Sequence, residues 1–360
     1  MPGWAFHNII DFVITNVKGF DFYFDFTYNH PKTNPEVISD CQPLKSNRIP
    51  SGKLRKKIPF QKVVLLRGLI YKFINLFNRL GLLDFDGNGK VCRVRQDGKY
   101  DLVVYLDFYM DKDADFSHIR ATKHVKGIFT ESYPPKGVMV DKHISKQTFC
   151  ETFLREINAL LVGVPSIKEN YDGYFSKPIL FANMAYDERL FKSSNAKKSD
   201  AEKFVIGWTG NPDRAFKGFH SHVIPTIEKL VLMGYKVELK TQFEGSLKSL
   251  VSFWQSVDLA LIASDADAGP SMFMEASLCG VPTVSTRIGM PSYVIQDGLN
   301  GLFCLRDIAD MVEKISLLIN EKELYVAMKN SIRKDYIEKL GAEVQVQNWK
   351  TLFNEVLQDA

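Results

Sequence analysis

Cysteine is scarce in this 360-residue chain. The five cysteines (Cys41, Cys92, Cys150, Cys279, Cys304) include no Cys-x-x-Cys pair. Their scatter argues against a disulfide framework and a cysteine zinc site, and it suits a reducing cytoplasm. No apolar run reaches the roughly 18 to 20 residues that a membrane-spanning helix needs. The first residues do not read as a secretory leader, because no basic segment precedes the short apolar stretch and Asp11 interrupts it. No Gly-x-Gly-x-x-Gly occurs, which disfavours a dinucleotide oxidoreductase. There is no internal repeat, no low-complexity tract and no cluster with metal-ligand spacing.

What is present is the composition of a soluble globular protein, 45% hydrophobic and 24% charged, long enough for two domains. The net charge of +4 is unevenly spread. Residues 1–192 hold 28 Lys and Arg against 21 Asp and Glu, and the remainder holds 18 against 21. Between residues 41 and 83 there are ten basic residues and no acidic one, including Lys53, Arg55, Lys56 and Lys57. That stretch is where an anionic partner is expected. Its second half, residues 63–83, is apolar at helical spacing with Arg67, Lys72 and Arg79 interspersed. It reads either as a basic helix on an anionic membrane surface or as a core-facing helix with a solvated basic side.

The most informative string runs Asp265-Ala266-Asp267-Ala268-Gly269-Pro270-Ser271 and on to Glu275, Ala276, Gly280 and Pro282. Before it, residues 257–263 form an apolar run of the kind a parallel strand shows when covered on both faces. Residues 264–270 are small and acidic, a turn. Ser271 reads as a helix N-cap, Glu275 falls in the first turns, and Gly280 closes the helix before the next strand, residues 281–285. In an open α/β sheet, ligands bind where strands end and helices begin. Two carboxylates and a helix start meet there, and an ionised carboxylate accepts two vicinal hydroxyls at once.

This string resembles the nucleotide-sugar site of the GT-B glycosyltransferases, closest to the retaining family 4, or group 1. The match is an acid, seven residues, then Glu, with Gly-Pro inside and Glu-Ala-x-x-x-Gly-x-Pro-x-Val after it. The resemblance implies an α/β fold of the GT-B type, two Rossmann-like domains with a cleft between them. By the same resemblance Glu275 meets the donor ribose. Asp267, with Gly269, Pro270, Ser271 and Met272, meets the sugar and its hydroxyls. Asp267 stands where the family has Glu. Lys217, beside Gly218 and ahead of a helix, matches the family's lysine on the diphosphate. Gly210-Asn211 stands where the family has Gly-Arg, which leaves Arg214 as the nearest substitute cation. Lys217, Asp267 and Glu275 are thus the expected catalytic group.

Elsewhere the pattern gives the domain frame. Residues 1–192 form an acceptor-side domain, 193–203 a polar lysine-rich linker, and 204–360 the nucleotide-sugar domain, whose last helix is expected to return to the first. The chain opens with a turn into a helix where family members have a strand, and the Gly3 loop faces the cleft in the family's arrangement. That implies a late start, a trimmed end or a sheet without that strand. Phe20 to Phe26 alternates aromatic and acidic residues and reads as a strand. Asp84-Phe85-Asp86-Gly87-Asn88-Gly89 imitates the start of a calcium loop, but its twelfth position is Arg95, so a hairpin turn is expected. Strands at 100–106 and 125–130 lead to Asp107 and Glu131, and with His118 these are the acceptor-side candidates. Residues 286–291 read as a loop.

The expected function is transfer of a sugar from a nucleotide-sugar to a hydroxyl, with retention, in surface polysaccharide or glycolipid assembly. No cofactor and no metal are expected. The partners are a nucleotide-sugar, a glycan or lipid-linked acceptor and an anionic membrane surface through residues 45–83, not a nucleic acid. The location is cytoplasmic, at the inner face of the membrane if that surface is used. Two alternatives remain on the same fold: a non-catalytic sugar-nucleotide or glycan-binding protein, and a sugar-nucleotide epimerase.

Overall fold

The computed structural model describes residues 5–22, 99–106, 120–135, 143–193, 203–243 and 246–358. The chain begins with helix α1 (Ala5–Asn16). A first parallel sheet follows, with β1 (Lys99–Tyr105), β2 (Arg120–Ile128), β3 (Ala159–Val162) and β4 (Ile179–Phe181) side by side in chain order. The short helix α2 (Lys146–Phe149) lies between β2 and β3, started by Ser145, whose hydroxyl accepts the Thr148 amide at 3.1 Å.

The second sheet contains β5 (Phe204–Thr209), β6 (Val237–Gln242), β7 (Leu259–Ile262), β8 (Thr283–Ser285) and β9 (Leu302–Phe303), all parallel and in the order β6-β5-β7-β8-β9. Its helices are α3 (Ile224–Leu232), α4 (Leu247–Trp254), α5 (Ser271–Leu278), α6 (Gly289–Val294) and α7 (Ile308–Asn320). Two longer helices, α8 (Lys322–Leu340) and α9 (Ala342–Gln358), end the chain. β3 and β7 are buried at every position, which is why their sequences, Ala-Leu-Leu-Val and Leu-Ala-Leu-Ile, are apolar without alternation.

The strand order fixes where a ligand can sit. From β5 the chain goes to β6 on one side, then crosses back to β7 on the other. The connections on the two sides of β5 therefore diverge, and a crevice opens at the carboxyl ends of β5 and β7. Residues 210–218 and 263–271 form its two walls.

α9 crosses to the first sheet and packs on α1, β1 and β4. Asn183, just past β4, anchors it: its backbone N–H donates to Gln345 Oε1 at 2.8 Å, and its carbonyl accepts Trp349 Nε1 at 2.9 Å. Arg333 on α8 ties the segment between the sheets by donating to the carbonyls of Glu188, Phe191 and Leu278. Burial pushes the Cys279 and Cys304 thiols up to about 12, so both serve as small packing groups.

Three sequence expectations are corrected. Ser271 is not the N-cap of α5; Pro270 is, and Ser271 is the first helical residue. Residues 286–291 are not all loop, because α6 begins at Gly289. Phe20 and Phe22 are irregular, not strand; their rings pack on Phe353 of α9, at 5.0 and 5.8 Å between centroids. The rest of that expected strand lies outside the described residues. So do the basic stretch 41–83, the calcium-like string at 84–89 and most of the expected linker 193–203. No helix among the described residues is long and apolar enough to cross a membrane.

Candidate functional site

The first wall of the crevice is the loop after β5. Asn211 turns its side chain into its own loop, where Oδ1 accepts the Asp213 amide at 3.0 Å. Arg214 is exposed and begins a single 3₁₀ turn, Ala215–Lys217. Gly218 ends that turn at φ +69°, and a Cβ there would stand 2.5 Å from the Ala263 carbonyl oxygen. Only glycine lets the loop close onto the end of β7. The Asp265 amide then donates to the Phe216 carbonyl at 3.0 Å and joins the two walls.

This closure brings Lys217 to Asp267. Lys217 Nζ lies 2.7 Å from Asp267 Oδ2, with the side chains only 15% and 17% exposed. Next to this pair, Gly269 and Pro270 lead into α5, whose start no side chain caps. The amides of Ser271 and Met272 therefore stand at the positive end of the helix, the arrangement that receives phosphate oxygens. A cation, a carboxylate and helix-start amides thus share one corner of the crevice.

Glu275 is placed differently. It is 5% exposed, inside the helix layer, and its Oε2 accepts Trp254 Nε1 of α4 at 3.0 Å. Tyr186, from the segment between the sheets, also hydrogen-bonds to the carboxylate. Burial raises its pKa from an ordinary 4.5 to about 7, against the lowering effect of those two hydrogen bonds. Trp254 and Tyr186 were not among the expected site residues. A tryptophan N–H in an apolar helix calls for a partner, and that signal was present in the sequence. Arg306 was also missed; it donates to the Ala263 carbonyl at 2.9 Å and lies 3.9 Å from Asp265.

The acceptor-side candidates separate. Gly3, Asp107 and His118 lie outside the described residues. Glu131 follows β2 and faces the other sheet's domain: Oε2 accepts the Gly289 amide at 2.8 Å and Oε1 accepts Ser166 Oγ at 2.6 Å. Gly210 lies at the mouth of the first wall, right after β5. Among the described residues no group of three His, Cys, Asp or Glu side chains is placed to hold a metal ion.

Residues 225–335 match the family model of glycosyl transferases group 1. Solved structures with the same architecture include HepE of Anabaena in complex with UDP and glucose, with a TM-score of 0.54, 15% identity and coverage of 71% of this chain and 78% of that one. They also include a TarM mutant of S. aureus in complex with Fondaparinux, alpha-GlcNAc-glycerol and UDP, with a TM-score of 0.55, 19% identity and coverage of 70% and 55%. The fold is GT-B, and its residues 225–335 are those that match the group 1 model. Asp267 and Glu275 lie within that region, and Lys217 lies just ahead of it. Two curated relatives match part of the chain. N-acetyl-alpha-D-glucosaminyl L-malate synthase of Bacillus anthracis is 28% identical over 124 residues, 34% of this chain and 32% of the relative. Poly(ribitol-phosphate) alpha-N-acetylglucosaminyltransferase of Staphylococcus aureus is 24% identical over 234 residues, 64% of this chain and 40% of the relative. The chain thus spans well under half the length of these relatives.

Proposed function

We propose that this protein is a glycosyltransferase that moves a sugar from a nucleoside-diphosphate sugar to a hydroxyl of a glycan or lipid-linked acceptor, with retention of configuration. The observation that carries it is the Lys217–Asp267 pair beside the uncapped start of α5, at the point where the sheet's connections diverge. The UDP named in the HepE and TarM structures supports a nucleoside diphosphate in this crevice.

In this mechanism the diphosphate takes over Lys217 and the α5 amides, and Asp267 is released to a sugar hydroxyl. The bond between the anomeric carbon and the diphosphate oxygen breaks, and its electron pair stays on the diphosphate. Lys217 stabilises the charge that develops there. The acceptor oxygen bonds to the anomeric carbon on the face the diphosphate leaves, and its proton passes to a phosphate oxygen. Glu275 holds the ribose hydroxyls from within the helix layer. Lys217 and the helix start supply the positive charge, so transfer is expected to persist with excess chelator. The S. aureus relative's name, transfer to poly(ribitol-phosphate), supports a polymeric acceptor. The basic residues 41–83 suit an anionic one, whether polymer or the inner membrane surface.

A binding protein on the same fold is the second reading, favoured by Asn211 folded into its own loop and Arg214 turned to solvent. The two separate on UDP release from UDP-glucose and UDP-N-acetylglucosamine with a panel of glycan acceptors. A transferase releases UDP in an acceptor-dependent way that Lys217→Met slows by about 10² to 10³-fold. Tight nucleotide binding with no release leaves the binding protein.

A further inference from the structure

We propose that Glu131 is a positioning residue that latches the two domains shut and sets the donor loop, rather than a group that touches the acceptor; this rests on the transferase reading of the crevice. Its two carboxylate oxygens are divided between the domains. Oε1 takes the Ser166 hydroxyl of its own domain at 2.6 Å, and Oε2 takes the Gly289 amide of the other at 2.8 Å. Asn170 Nδ2 adds a longer bond, 3.4 Å, to the Glu131 carbonyl. With one oxygen committed to each domain, the carboxylate bridges the two and fixes their relative position.

What the latch holds is the donor loop itself. Gly289 has φ +28°, and a Cβ there would stand 2.0 Å from the Ala268 carbonyl oxygen. The next amide, Met290, donates to that same oxygen at 2.9 Å. Ala268 follows Asp267, the partner of Lys217. From Glu131 to Lys217 there is thus an unbroken line of contacts: carboxylate to Gly289 amide, Gly289 and Met290 onto Ala268, Asp267 onto Lys217. Beside it, α6 packs against the turn Pro165–Asn170 and the Phe181 ring lies edge-on to Tyr293 at 5.9 Å. Hydrogen bonds to a charged acceptor are stronger than neutral ones, so loss of the latch lowers the closed-to-open ratio by about tenfold to a hundredfold.

The side-chain chemistry supplies a discriminating pair of variants. In Glu131→Gln the amide oxygen still accepts from Gly289, and the amide nitrogen can donate to Ser166 Oγ. In Glu131→Ala both bonds are gone. Spin labels at exposed Asp172 and Glu313, one per domain, report closure by their distance in a Cys41→Ser, Cys92→Ser background. Glu131→Ala is expected to lengthen that distance and to raise the donor KM about tenfold or more. Glu131→Gln is expected to keep the wild-type distance and to recover most of the lost affinity. Ser166→Ala, which loosens the latch from the other side, gives a smaller lengthening and serves if the Ala variant does not fold. An unchanged distance in Glu131→Ala or in Ser166→Ala overturns the latch. So does equal loss of kcat in Gln and Ala, the pattern of a charge acting on the acceptor. If the wild type transfers no sugar but the distances behave as stated, the latch stands and the transferase reading falls.

Discussion

Lys217 and Asp267, fifty positions apart, form an ion pair of 2.7 Å in which each side chain is mostly covered. The pair leaves the two charges compensated, and Asp267 lies four residues ahead of the α5 start. Replacing Lys217 with Met removes the cation and strands the Asp267 carboxylate. The expected fall in kcat is about 10² to 10³-fold, the usual cost of one group that stabilises developing charge. Thermal unfolding should show a loss of about 1–3 kcal/mol from the unpartnered carboxylate. Steady-state rates and melting curves on the same preparation check both.

Glu275 makes stability and binding run in opposite directions with pH. Its folded pKa, about 7, lies above the ordinary 4.5, so the folded state holds the proton more tightly. Its contribution is complete below about pH 4.5 and is lost as pH rises through about 7, a change on the order of 3 kcal/mol. Glu275→Gln cannot ionise and keeps an oxygen for Trp254. It should therefore gain on the wild type as pH rises from 5 to 8 in unfolding experiments. Nucleotide affinity of the wild type should rise over the same interval, since the ionised carboxylate is the better acceptor for ribose hydroxyls.

Trp254→Phe tests the support beneath that carboxylate. The indole N–H donates to Glu275 at 3.0 Å, and the ring lies under Gly207 of β5. With the donor gone, the Glu275 pKa moves further up. The pH midpoint of nucleotide binding should follow it upward, and stability should drop by about 2–4 kcal/mol from the lost hydrogen bond and the smaller ring. Titration calorimetry at several pH values reads the midpoint.

Gly289→Ala places a methyl group against the Ala268 carbonyl. That contact is with backbone, so the loop carrying Asp267 must move. A loss of about 2 kcal/mol or more is expected. Nucleotide binding should weaken by more than stability alone explains, measured under conditions where the variant is fully folded.

Much of the second sheet was legible because its signals are local. The apolar run before Ser264, the small acidic turn, and Gly280 with φ +71° past the end of α5 need no distant partner to be read. Residues 286–291 read as loop in the sequence because Gly289 and Pro291 are poor helix residues; what builds α6 is the Met290 amide bond to Ala268, a tertiary contact. The alternation at Phe20 to Phe26 looked like a strand, yet Phe20 and Phe22 point their rings at α9 rather than into a ladder. The spacing of Asp267 and Glu275 singles out both acids as candidates but says nothing of their different settings, one paired with Lys217 and one buried against Trp254. Trp254 and Tyr186 reach Glu275 from α4 and from the segment between the sheets, and no local pattern marks that meeting.

The most direct measurement is nucleotide binding to the purified chain, by thermal shift with UDP, GDP, ADP, CDP and dTDP, on the wild type, Lys217→Met and Glu275→Ala. At about 100 times its dissociation constant, one of these should add roughly 2.7 kcal/mol of stability to the wild type. The gain should shrink in Lys217→Met and vanish in Glu275→Ala. No shift with any nucleotide, or a shift that both variants retain, would contradict a nucleotide-sugar site in this crevice.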